Sequence, residues 1–185
     1  MKKESAITNV LNYNKEFVAQ RSGEIFEVDG KPRKQLALVA CMDTRFTSML
    51  MAALGLEDGD VNVIKVAGAE VSDAYGAVMR SLLVAVYELG VREIMVVAHT
   101  ECGAQNMNAA RMTMLMQEAG VEASAIEEAA ASGINLDEWL EGFGNMSDAV
   151  LRSVATIQNH PLAPSYLNVR GFVIETQTGE LFEVS

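Results

Sequence analysis

Residues 99–102, His-Thr-Glu-Cys, hold one of the chain's two histidines and one of its two cysteines. They close the apolar run of VVAHTECGAQN, residues 96–106. The other cysteine, Cys41, closes an earlier apolar run, QLALVAC at 35–41, and MDTR follows it. Two thiolates and an imidazole make a soft to borderline ligand set, for which zinc is the favoured metal. Cys41, His99 and Cys102 would leave the fourth tetrahedral position open. Zinc brings the pKa of a water held there toward roughly 7. As hydroxide, that water attacks an electrophilic carbon. A cysteine ending an apolar strand is, taken singly, more often a plain core residue. The joint placement of both cysteines and a histidine is what points to one shared ion.

Asp43 and Arg45 follow Cys41 directly. As a surface ion pair they would contribute about 0–1 kcal/mol, and Asp43 could also be a helix N-cap. Beside a metal the pair gains two states. Held bidentately by Arg45, Asp43 is oriented to accept a proton or hydrogen bond from a bound water. Released, it could fill the fourth metal position and close the site.

These residues need a scaffold. Ser5 caps a helix expected over 6–20, and RSGEIFEVDGKPRK (21–34) reads as a loop. QLALVAC (35–41), VNVIKVA (61–67) and REIMVVAH (92–99) read as strands, with helices at 44–55 and 72–90 between them. Gly55 suits a C′ position, and Ser72 or Asp73 caps the second of those helices. Residues 104–160 read as helical with breaks at Gly120, Gly133 and Gly142–Gly144, and the Met-rich piece at 110–120 reads as a core or interface helix. YLNVRGFVIET (166–176) is a fourth strand, and QTGE turns it into a short last one, LFEV. Alternating strand and helix with nearly all-apolar strands predicts an α/β fold: a mainly parallel sheet of four strands, helices on both faces, and an antiparallel C-terminal edge strand. Ligands of such sheets bind beyond the carboxyl ends of the strands, where the winding reverses. Cys41 and His99 are both expected there. His160, before Pro161, reads as structural or surface.

Composition narrows the rest. At 185 residues the chain is expected to be one domain, 1–185. A net charge of −11 with no basic run argues against nucleic acid as a partner. No apolar stretch is long enough to span a membrane, and the start does not read as a signal peptide, so a cytoplasmic protein is expected.

CMDTR (41–45) followed by HTECG (99–103) is similar to the C-x-D-x-R and H-x-x-C pair of the β-class carbonic anhydrases. Residues 49–103 resemble that family's core and 167–184 its final hairpin, whereas 104–146 match least. The resemblance implies zinc on Cys41, His99 and Cys102, a catalytic dyad of Asp43 and Arg45, and reversible hydration of carbon dioxide to bicarbonate. It also implies a homodimer or homotetramer. Relatives with the same ligands hydrolyse carbonyl sulfide or carbon disulfide, which gives a second substrate reading. A third reading is a zinc or redox-sensing protein closed by Asp43. A cysteine-nucleophile enzyme is disfavoured, since CMDTR lacks a glycine-rich anion cradle.

Overall fold

The computed structural model describes residues 5–20 and 28–185. Part of the loop expected at 21–34 lies outside the described residues. The chain divides into two compact units, residues 1–30 and 31–185. The first carries helix α1, Ala6–Ala19, capped as expected by Ser5, whose hydroxyl oxygen accepts the Thr8 N–H.

The second unit is built on a five-stranded sheet of β1 (Leu36–Cys41), β2 (Val61–Val66), β3 (Glu93–His99), β4 (Asn168–Ile174) and β5 (Leu181–Val184). Its order is β2-β1-β3-β4-β5. The first four strands are parallel, and β5 runs antiparallel to β4 at the edge. The chain moves from β1 outward to β2, then crosses back to place β3 on the other side of β1. That reversal opens a crevice beyond the carboxyl ends of β1 and β3. In register, Ala40 of β1 lies opposite Val97 of β3, so Cys41 and His99 end the two strands at nearly the same level.

Alternation along each strand feeds two separate cores. On one face Ala37, Val39, Ile94 and Val96 pack with α3 (Ala77–Tyr87) and α7 (Met146–Gln158). On the other, Leu38, Ala40, Val97 and Phe172 pack with Phe46 and with Leu50 of α2 (Ser48–Ala53). Burial on both faces explains why these strands read as continuous apolar runs. Between β3 and α7 the chain forms α4 (Ala109–Glu118), α5 (Ala123–Ala131) and α6 (Leu136–Trp139).

Two helices begin later than expected, for the same reason. The helix expected from 72 starts at Ala77, because the Asp73 carboxylate accepts the Tyr75 N–H at 2.8 Å. The helix expected from 44 starts at Ser48, after a 3-10 turn over Thr44–Phe46 capped by Asp43. In each place an Asp bonds its own backbone two residues on, which competes with helix initiation. Gly55 does take the C′ position of α2, with φ 62, and the Leu56 N–H reaches back to the Met51 carbonyl.

Candidate metal centre

β1 ends on Cys41 and β3 on His99. The chain then turns through Glu101, a non-glycine residue at φ 56. That left-handed backbone costs about 1 kcal/mol. It is held by Thr100, whose N–H extends the β3–β4 ladder to the Ile174 carbonyl and whose hydroxyl donates to Glu175. The turn brings Cys102 back against β1. Its sulfur lies 3.7 Å from that of Cys41, unbonded, and one ligand atom from each of Cys41, His99 and Cys102 lies within 4.8 Å of the others. The three are 5%, 0% and 3% exposed.

The imidazole is fixed in a useful tautomer. His99 Nδ1 lies 2.8 Å from the Thr100 carbonyl oxygen and donates to it. Nε2 is therefore left with its lone pair, buried and without a partner among the described residues. The ring packs on Phe46 at 4.9 Å between centroids. Burial, together with neighbouring Cys41, pushes the Cys102 thiol up to about 11. Two crowded buried sulfurs and an orphaned imidazole nitrogen are costly left as they are. A soft or borderline divalent cation would satisfy all three at once, and the donor set fits zinc.

Asp43 and Arg45 sit beside this cluster. Arg45 Nη2 donates to Asp43 Oδ2 at 2.8 Å and Nε to Oδ1 at 3.1 Å, while the Arg45 backbone N–H reaches Oδ1 at 2.9 Å. These hydrogen bonds hold the Asp43 carboxyl at about 2, well below the usual carboxylate range. Asp43 Oδ2 lies 3.9 Å from His99 Nε2, too far for a hydrogen bond. Arg45 also donates to the Glu101 carbonyl, tying the loops after β1 and β3 together. The N-cap and the ion-pair readings of Asp43 thus hold at once.

Several contributors were not legible in the sequence. Lys65, near the end of β2, donates to the Phe46 carbonyl at 3.1 Å and to the Thr47 hydroxyl at 3.0 Å, clasping the 43–47 loop. Only the pairing of β1 with β2 brings it there. Gly68 turns the floor with φ 67, and a Cβ on it would meet Phe143 at 2.9 Å. Cys41, Asp43, Gly68 and Cys102 line a cleft of about 580 Å³ whose opposite wall is α4. The Met-rich helix is therefore a cleft wall and not core, since Ala109 is its one buried residue. His160 has no part in the cluster. It is 4% exposed, and its Nδ1 accepts the Leu162 N–H, a structural role.

A parallel sheet that delivers a Cys-His-Cys cluster and an Asp–Arg pair to one crevice defines a class of α/β protein with a soft-donor metal-type site. The carbonic anhydrase family model matches residues 36–181, which takes in β1 to β4 whole, the first residue of β5 and all five of these residues. The Bacillus subtilis carbonic anhydrase homologue YvdA is 42% identical over 95% of this chain and 89% of its own length. A carbon disulfide hydrolase of Acidithiobacillus thiooxidans is 26% identical over 80% of this chain and 76% of its own. Among solved structures, β-carbonic anhydrase isoform I of Trichomonas vaginalis superposes with a TM-score of 0.88 at 28% identity, covering 98% of both chains. The chain belongs to the β-carbonic anhydrase family, a family of lyases.

Proposed function

We propose that the protein catalyses the reversible hydration of carbon dioxide to bicarbonate, with zinc held by Cys41, His99 and Cys102. The observation that carries this reading is the buried, partnerless His99 Nε2 set among two sulfurs and beside a carboxylate already fixed by Arg45. When bound, zinc supplies Lewis acidity and a water acid enough to serve as nucleophile near neutral pH.

The chain's own residues do the rest. Arg45 keeps Asp43 ionised and turned, so that the carboxylate is an acceptor for one O–H of the attacking water. This fixes the water's lone pair toward the carbon of the substrate. Held by four hydrogen bonds from Arg45, Asp43 stays off the metal position. The Lys65 clasp and the packing of Phe46 on His99 keep the loop and the ring in register. The largely apolar wall of Met107, Met112 and Leu115 suits a small uncharged substrate.

That same wall gives the second reading, hydrolysis of carbonyl sulfide or carbon disulfide. Polarisable thioethers pack well against sulfur, and a carbon disulfide hydrolase is among the relatives. Purified protein assayed for zinc content and for carbon dioxide and carbonyl sulfide turnover separates the two. Zinc near one per chain with rapid carbon dioxide hydration, both lost in Cys102→Ser, is the expected result. A metal-free preparation, or zinc with no turnover on carbon dioxide, defeats it.

The reading extends to assembly and location. A homodimer or homotetramer is supported by α1, which buries none of its residues and exposes Ile7, Val10, Leu11, Tyr13 and Val18. We take residues 1–185 as one functional domain. Two unbonded cysteines suit the reducing cytoplasm, and no helix among the described residues is long and apolar enough to cross a membrane.

A further inference from the structure

The cleft contains a cation to which nothing above gives a task. We propose that Arg111 is its anion-receiving residue, binding the bicarbonate that enters or leaves. The identity of the anion rests on the proposed reaction; the binding itself does not.

Arg111 lies on the first turn of α4. Its backbone N–H donates to the capping Asn108 side chain at 2.8 Å, which fixes the turn that carries it. It is the one Lys or Arg lining the cleft among the described residues. The guanidiniums of Arg33, Arg45, Arg152 and Arg170 are each engaged with a carboxylate. Arg111 forms no ion pair among the described residues, although acids outnumber bases 25 to 14 in the chain. Arg80 and Arg92 likewise form no ion pair among the described residues, but neither lines the cleft; Arg111 alone places such a guanidinium at this apolar wall.

The chemistry needs such a group. Carbon dioxide is uncharged and partitions readily against Met107, Met112 and Leu115. Bicarbonate is an anion that must cross the field of a protein with net charge −11 and pass the Asp43 carboxylate. Low-dielectric walls strengthen the field of any charge at the mouth. A guanidinium offers two parallel N–H donors matched to two oxygens of a flat anion, which an ammonium cannot copy.

The test is equilibrium binding of sodium bicarbonate, and of sodium azide as a second anion, to the zinc-loaded protein at pH 8 by calorimetry. Arg111→Gln should weaken both by roughly fivefold and reduce the salt dependence, since it removes a charged hydrogen bond at an exposed site. Arg111→Lys should restore the salt dependence but only part of the affinity. Arg80→Gln makes the same change in net charge at an exposed site outside the cleft and should leave both constants unchanged. Zinc content and melting temperature of each variant establish that the fold is intact. Equal affinities for the parent and Arg111→Gln, or an equal loss in Arg80→Gln, would overturn the assignment. Weakened anion binding in a protein without carbon dioxide turnover would keep Arg111 and remove the proposed reaction. Turnover with unaltered anion affinity would do the reverse.

Discussion

β1 buries five of its six residues and β3 ends on four consecutive buried ones, whereas α4, facing them across the cleft, buries Ala109 alone. The wall that carries Cys41 and His99 is continuous with both hydrophobic cores. Displacing Cys41 or His99 means disturbing a sheet packed on two faces, and interiors at crystal-like density do not yield in small steps. The α4 wall has half-buried methionines and an exposed arginine. Its side chains can be changed with little cost to the fold. Stability and metal geometry are therefore expected to reside in the strands, and substrate preference in the helix.

The separation can be broken or sharpened by experiment. Cys102→Ser should abolish stable zinc binding and lower turnover by roughly a thousandfold or more, because an alcohol is a poor replacement for a thiolate ligand. Zinc content and stopped-flow hydration read both. Leu38→Ala, under the same wall, should cost about 2–5 kcal/mol in denaturant unfolding, the usual cost of a cavity at a fully buried leucine. Asp43→Ala should keep zinc yet lose turnover by roughly a hundredfold. Loss of zinc or an early melt in that variant would favour a closed, structural site. Met112→Ala, on the helical wall, should change stability by less than about 0.5 kcal/mol while altering the ratio of carbonyl sulfide to carbon dioxide turnover. A large loss of stability there would erase the contrast.

The smallest effect lies away from the cleft. Asp60 accepts from the Glu57 N–H and from Arg33 at the start of β2, and these bonds hold its pKa below the usual value. A depressed carboxyl stabilises the fold above its unfolded pKa of about 3.9 and loses that contribution as pH falls through the folded value. Asp60→Asn should therefore lower the urea midpoint at pH 7, with the gap closing below about pH 4, and leave turnover unaltered. A constant gap across that range would show that the charge is not what Asp60 contributes.

Much of this was legible because it is local. Apolar runs of strand length ended on Cys41 and His99. The H-x-x-C spacing put Cys102 within reach of His99, and alternation of strand and helix predicted the parallel sheet. Two helix starts were misplaced because Asp43 and Asp73 each read equally well as a cap several residues too early. What escaped was a set of other contacts made across the sheet or the cleft: Lys65 on the 43–47 loop, Phe46 on His99, Phe143 against Gly68, and α4 as a wall.

The order of residue types along the chain was enough to set His99 and Cys102 close together and to place Cys41 and His99 at strand ends, since both follow from short-range spacing and apolar pattern. Only the tertiary structure decided that β1 and β3 are neighbours, so that Cys41 meets Cys102, that His99 Nε2 has no partner among the described residues, and that Arg111 lines the cleft without an ion pair among them. Those facts depend on which distant segments meet, and that is settled by packing summed over the whole sheet.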